Sequence, residues 1–409
     1  MGINRFSLLS LVLFSSMASA FSLDETACKV MGSADACSKL ADSYADTNSP
    51  QHDKAKAYEF YVRACDLNNA YACTNAGHIK SIGLGVNIDY ELAIKYSTKA
   101  CDLNEGQGCT NLGIIYDGNE LYQDYMKAAK VYKKACDLDN PDGCAYLAEL
   151  YESGHGVEQD LRQAFKYYDR SCNLNSAYGC NALGICYESG SGVLADNVKA
   201  LQFYAKGCDL GASDACSNAG LIYLSGEGVE VDDGMAYDYF ARAIDDETNG
   251  RGYAYIGWMI ENGRGGAQKD PNTALSLYKQ GCDLDSEVAC YYQAEMYYYG
   301  NGVNQDYREA AELYKKACML NDGDACFSLG FLYDRGFGVQ PSESQAFRYY
   351  EQSCALNVAD GCYNAGVAIV KGNGVNVDFN KGAEFLEKGC NLGSEDSCRD
   401  YNTLRSFMH

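Results

Sequence analysis

The stretch from Asp89 to Tyr116 decides the fold. It reads DYELAIKYSTKACDL (Asp89–Leu103), NEGQG (104–108) and CTNLGIIY (Cys109–Tyr116). In the first piece Leu92, Ala93, Tyr96 and Ala100 recur at the three-four spacing of an amphipathic helix. Asp89 stands where an N-cap accepts from backbone N–H groups that the first turn leaves free. Asn104 to Gln107 is polar, holds Gly106 and predicts a short connection between antiparallel helices. In the last piece Leu112, Ile115 and Tyr116 share a face, which predicts a second, shorter helix. The unit is a helical hairpin, with Cys101 and Cys109 on either side of its connection.

The hairpin recurs. All but one of the 21 cysteines fall into pairs: Cys28/Cys37, Cys65/Cys73, Cys101/Cys109, Cys136/Cys144, Cys172/Cys180, Cys208/Cys216, Cys282/Cys290, Cys318/Cys326, Cys354/Cys362 and Cys390/Cys398. They return about every 36 residues, a period that marks a helical repeat array. Structural zinc sites bring ligands two to four residues apart, often with histidine. Here the cysteines are eight or nine apart, and the histidines are His52, His78, His155 and His409 alone. The pairs therefore read as disulfides, each tying the end of one helix to the start of the next. A loop of this size constrains the unfolded chain by roughly 2.5 kcal/mol in the chain-entropy account.

Connections between hairpins carry Gly-x-Gly-Val, at Gly83 to Val86, Gly154 to Val157, Gly190 to Val193, Gly226 to Val229, Gly300 to Val303, Gly336 to Val339 and Gly372 to Val375. Glycine tolerates the left-handed backbone of a helix C-cap, and the valine is placed to plug the core below. No GK[ST] or GxGxxG follows any copy, so these are structural turns and not phosphate cradles.

Residues 1–20 read as a secretory signal, with Arg5, the apolar run Phe6 to Phe14 and the small residues Ala18-Ser19-Ala20. That run is too short to span a bilayer, no comparable stretch follows, and no cysteine sits just after it to carry a lipid. The expected organisation is a signal peptide over 1–20, one continuous repeat solenoid over 21–400, and a cap or tail over 401–409. The expected location is secreted or periplasmic, where paired cysteines persist as disulfides. The formal net charge of −23 opposes a nucleic-acid partner and favours basic peptides, within the screening length of about 8 Å at physiological salt.

Three places depart from the pattern. Ile244 and Tyr253 stand where a cysteine pair would, and the following turn is Gly263-Arg264-Gly265-Gly266. This unstapled repeat is a candidate hinge or specialised site, or a tolerated loss. Cys186 is the odd thiol, in a slot that elsewhere holds Ile79, Ile115, Leu150, Ile222, Met296, Leu332 and Ala368, so it reads as a small buried hydrophobe. The third departure, Asp117 to Asp124, replaces a glycine turn.

The motifs ACDL, NLGxxY and GxGV on this beat resemble Sel1-like repeats and, more closely, the Helicobacter cysteine-rich protein family. The resemblance covers residues 24 to 400. It implies an all-α, right-handed superhelical solenoid of about ten to eleven disulfide-stapled hairpins with a concave inner surface. It also implies two kinds of function: protein binding, and β-lactam binding with weak β-lactamase activity.

The residues bear unequally on these. Serine β-lactamases need Ser-x-x-Lys with companion Ser-Asp-Asn and Lys-Thr-Gly elements. Ser276 and Lys279 form the one Ser-x-x-Lys, in a slot that elsewhere holds Glu59 with Val62, and neither companion occurs. No cofactor or metal motif is present, and no catalytic residue is assigned. Two residues past the second cysteine, by contrast, the chain offers Asn75, Asn111, Asn218 and Asn364, with Tyr146, Tyr255 and Tyr292 in the same slot. In tetratricopeptide-like arrays the corresponding helix lines the concave face and its asparagines grip a peptide backbone. By that resemblance the amides would hold an extended chain, and Trp258 would be an aromatic anchor. An asparagine there equally serves nearby backbone groups, and Trp258 equally serves the core. The reading is a scaffold that binds a protein or basic peptide segment, with β-lactams or cell-wall fragments as the alternative ligands.

Overall fold

The computed structural model describes residues 25–244 and 248–408. Residues 1–20, expected to be a secretory signal, lie outside the described residues. Among them every regular element is helical, and the chain divides into two compact units, up to Leu210 and from Gly211 onwards.

In the first unit a helical turn over 25–29 precedes α1 (Ala34–Ala45), and the chain continues with the hairpins α2 (Lys54–Asp66) and α3 (Ala70–Ile82), α4 (Tyr90–Asp102) and α5 (Gly106–Gly118), α6 (Tyr125–Asp137) and α7 (Pro141–Ser153), and α8 (Leu161–Asn173) and α9 (Ala177–Ser189); α10 (Asn197–Asp209) follows. The second unit opens with α11 (Ser213–Ser225). Its hairpins are α12 (Asp233–Ala243) and α13 (Gly250–Asn262), α14 (Pro271–Asp283) and α15 (Glu287–Tyr299), α16 (Tyr307–Met319) and α17 (Gly323–Arg335), α18 (Glu343–Ala355) and α19 (Ala359–Lys371), and α20 (Phe379–Asn391) and α21 (Glu395–Met408).

Local chemistry starts and stops these helices. The Asp89 carboxylate accepts from the Leu92 N–H at 3.0 Å. Asp53, Asp124, Asp160 and Asp196 cap the other first helices of the first unit in the same way, each worth about 1 kcal/mol. Second helices end on left-handed glycines such as Gly83 (φ 74°) and Gly336 (φ 71°). The second glycine of the turn serves packing as well: a Cβ on Gly338 would run into the backbone of Tyr307 at the start of α16. The turn valines are half-buried, and Val157 packs on the cluster of Tyr132, Leu147 and Leu150.

Two expectations need correction. The second helix is not the shorter one: α4 and α5 have 13 residues each. Gly106 and Gln107 form the first turn of α5 and not a connection, because small residues there pack on the next hairpin; a Cβ on Gly106 would lie 2.9 Å from that of Asn140. Tyr116, Tyr151, Tyr187 and Tyr223, on second helices, are half-buried. The fully buried tyrosines are Tyr132, Tyr204, Tyr278 and Tyr314, on first helices.

The cysteines pair as their spacing predicts. In the first unit the disulfides are Cys28–Cys37, Cys65–Cys73, Cys101–Cys109, Cys136–Cys144 and Cys172–Cys180. In the second they are Cys282–Cys290, Cys318–Cys326, Cys354–Cys362 and Cys390–Cys398. These nine hold Cα atoms 4.4–4.7 Å apart, each across a hairpin connection. Cys208 and Cys216 are disulfide-bonded as well. The second cysteines Cys37, Cys73, Cys144, Cys290, Cys326 and Cys362 are fully buried, so the staples belong to the core and not to the surface. Cys398, on the terminal helix α21, closes the last hairpin in the same way.

The connection itself turns on a left-handed residue three past the first cysteine, for example Asn104 (φ 62°) and Asp139 (φ 56°). Neighbouring first helices are then joined by lysines. Lys134 donates to the Cys101 carbonyl at 2.6 Å, and Lys206, Lys316 and Lys388 repeat the bond to Cys172, Cys282 and Cys354 at 2.6–2.8 Å. Each cation satisfies an end carbonyl and sits at the negative pole of the neighbouring helix.

Candidate binding face

The candidate site lies along the second helices. Four residues past the second cysteine most of them carry a glycine, which admits an aromatic ring from the next first helix. A Cβ on Gly113, Gly184 or Gly257 would strike the ring of Tyr132, Tyr204 or Tyr278. The tyrosine hydroxyl then donates back to a carboxylate on the preceding second helix. Tyr132 reaches Asp117 at 3.4 Å, Tyr168 reaches Glu152 at 2.9 Å and Tyr204 reaches Glu188 at 2.5 Å. In the second unit Tyr278 reaches Glu261 at 2.8 Å, and Tyr314 bonds to Glu295. These rings close the notch between consecutive second helices.

Where the pairing fails, the notch stays open. Opposite Gly77 stands Ser97, and the notch there is a cavity of about 460 Å³ whose lining includes Asn111 and Tyr146. Opposite Gly366 stands Leu386, beside a cavity of about 290 Å³. Tyr350 makes no hydroxyl–carboxylate hydrogen bond among the described residues. It lines a third cavity of about 310 Å³ with Asn364, Phe327, Phe331 and Phe347.

The predicted binding residues divide accordingly. Asn111 is held by a chain of side-chain bonds: Thr110 donates to Asn140, Asn140 to Gln107, and Gln107 to the Asn111 oxygen at 3.0 Å. Its own Nδ2 donors have no partner among the described residues. Asn75 instead donates to the Tyr71 carbonyl one turn back at 3.0 Å, and Asn218 is half-buried on α11. Tyr146, Tyr255 and Tyr292 are half-buried and stack or tilt on Tyr132, Phe240 and Tyr278 with centroids 4.9–5.4 Å apart. Trp258 is half-buried between two core clusters, and Arg264 lies 5.2 Å over its ring. Cys186 is buried, and burial pushes its thiol up to about 12.

Burial lifts several acidic groups on this face above the ordinary carboxylate range. Burial raises Glu149 and Glu295, and nearby carboxylates (Asp117 and Glu152, or Glu261 and Asp324) add to it. Asp322 is pushed up to about 6 by burial, reinforced by Asp324 and Glu287. No group of His, Cys, Asp or Glu among the described residues could hold a metal ion.

The Sel1 repeat profile matches the chain at 34–69, 70–105, 106–140, 141–176, 177–211, 213–246, 251–286, 288–322, 323–358 and 359–394. The chain belongs to the Sel1 repeat family. A Sel1 unit in this register is the second helix of one hairpin with the first helix of the next, the two elements that the tyrosine–carboxylate bond joins. An Escherichia coli protein described as a protective antigen of uropathogenic strains displaying an SLR fold is similar over 94% of this chain and 90% of its own, with 21% identity and a TM-score of 0.58. A Sel1 repeat protein of Oxalobacter formigenes is 22% identical over 76% of this chain and 90% of its own, with a TM-score of 0.50. Helicobacter pylori cysteine-rich protein B is 38% identical over 31% of this chain and 91% of its own, with a TM-score of 0.27. No curated protein matches.

The Sel1 array is an all-helical, disulfide-linked solenoid scaffold. Disulfides at this density belong to an oxidising, non-cytoplasmic environment. No helix among the described residues is long and apolar enough to cross a membrane. Ser276 and Lys279 are both exposed on α14, and neither lines a described cavity. The β-lactam alternative therefore gains nothing from the arrangement.

Proposed function

We propose that this Sel1 array, exported through residues 1–20, holds an extended peptide segment of a partner protein along its second helices. The observation that carries the reading is the amide at the open notches. Asn111 and Asn364 occupy the same slot in two units, and each lines a cavity between consecutive second helices. With its oxygen engaged by Gln107, Asn111 offers its Nδ2 hydrogens to a passing carbonyl. The flanking rings supply apolar walls for side chains. The acidic surface adds attraction for basic segments at long range.

A displayed random-peptide library, panned on the oxidised protein, tests this. Selected sequences should share a register, and an Asn111→Ala/Asn364→Ala variant with unchanged helical circular dichroism should lose them. Equal retention by the variant would remove the second-helix face from consideration.

A further inference from the structure

The notch between α3 and α5, whose lining includes His78, differs from its counterpart in the second unit by the absence of a lysine or arginine. In the second unit the residue nine past the second cysteine is Arg335, which lines the Phe331 cavity, lies 5.5 Å over the Phe331 ring and sits 3.6 Å from Asp334. That notch already contains an arginine of the chain itself. In the first unit the same slot is Ile82, 52% exposed, beside Ile114, 44% exposed. The carboxylate position of the closed notches is here Ser81, which lines the cavity, and the slot of their tyrosine is held by Ser97, fully buried against Gly77. The acid facing this cavity is instead Asp142, exposed and with no ion-pair partner among the described residues. Asp142 and Tyr146 stand one turn apart on α7 and both line the cavity. No lysine or arginine lines the cavity.

We propose that this notch is a specificity subsite for an arginine side chain of the bound segment. The aliphatic stem lies on Ile82 and Ile114, the guanidinium pairs with Asp142, and its plane stacks on Tyr146. The pocket supplies from the ligand the cation that the second unit supplies from Arg335. Arginine is preferred to lysine because its planar fork suits both a carboxylate and a ring face. The assignment rests on the peptide-binding reading above.

The test uses oxidised full-length protein and a set of fluorescein-labelled, capped nonapeptides built on the selected register. They vary only at the position facing the notch, as Arg, Lys, Leu, Phe or Glu, and binding is read by anisotropy. Arginine should bind about tenfold tighter than leucine, the value of one charge-assisted contact. Asp142→Asn should bring the two within about twofold, and Ile82→Arg, which installs an internal cation, should do the same. Leucine or phenylalanine binding as tightly as arginine, or an arginine preference that survives Asp142→Asn, would overturn the subsite and leave peptide binding standing. Failure of every peptide to bind would overturn both.

Discussion

Each disulfide should set the opening free energy of its own hairpin, and removing one measures it. In the first unit α8 and α9 are joined by Cys172–Cys180, both fully buried and eight residues apart. Local opening of that hairpin leaves the bridge intact, so the open state keeps a loop of about eight residues closed. The chain-entropy account values that constraint at roughly 2.5 kcal/mol, or roughly 60-fold in the opening equilibrium. Cys172→Ala/Cys180→Ala removes it without burying a new polar group. Hydrogen exchange read by mass spectrometry at peptide level should then show protection in α8 and α9 falling by about that factor, with a smaller loss in the adjoining hairpin. Repeat arrays couple mainly to nearest neighbours. The hairpin α12 and α13 supplies the internal comparison. It lacks a disulfide, and α12 has 11 residues where α8 has 13. It should be the first hairpin of the second unit to exchange in wild-type protein, and the double alanine variant should leave it unchanged. A fall of less than about fivefold in α8 and α9, or an equal fall in α12 and α13, would refute the local-staple argument.

Other consequences are simpler to read. Asp322 binds its proton more readily folded than unfolded, so its contribution to stability rises as pH falls through about 6 towards 4 and is absent above that window. Asp322→Asn keeps the N-cap and should stabilise the protein by on the order of 1 kcal/mol at pH 7.5, with the gain vanishing by pH 4 in urea titrations. Lys134→Met removes the bond to the Cys101 carbonyl and should cost about 1 kcal/mol by the same assay. Cys186 should resist iodoacetamide at pH 8 in the native oxidised protein, since burial and the nearby Glu152 both hold its thiol protonated. A single adduct by intact mass should appear once denaturant is added without reductant.

Much of the fold is legible because its devices are chemically narrow and recur in register. A cysteine eight residues from another, an aspartate before an amphipathic run and a glycine after one each admit few readings. The length of the second helix was hidden because its first turn, Gly106 to Gly108, is built of residues that read as loop. The left-handed turn residue was present in the sequence all along. Asn68, Asn104, Asp139, Asn175, Gly211, Asp285, Asn321, Asn357 and Gly393 occupy one slot, and all have positive φ. That slot admits asparagine, aspartate and glycine for one conformational reason, where polarity alone suggests only a loop. The tyrosine–carboxylate and lysine–carbonyl bonds were not legible in the same way. Their partners lie on different hairpins, at separations that match no helical period, so packing must be known first.

The binding face shows why a slot does not define a site. Asn75 and Asn111 hold equivalent positions, yet Asn75 donates to Tyr71 while Asn111 is gripped by Gln107 and faces a cavity. The difference comes from the surrounding slots: Gln107 stands where Tyr71 does one repeat earlier, and Ser97 stands where later repeats carry a tyrosine. A notch opens where a first helix gives up its ring, as at Ser97, or where the ring has no carboxylate partner among the described residues, as at Tyr350, and at both an asparagine of a second helix lines the cavity. In an array whose regular positions serve the stack, the proposed binding reading places specificity in the exceptions, which here are Ser97, Ile82 and Leu386. Read without the packing, each of those three is an unremarkable small or apolar residue at a variable position. Read with it, Ser97→Tyr should complete the repeat by filling the space beside Gly77, and on the proposed peptide-binding reading it should lower peptide retention while leaving helical circular dichroism unchanged.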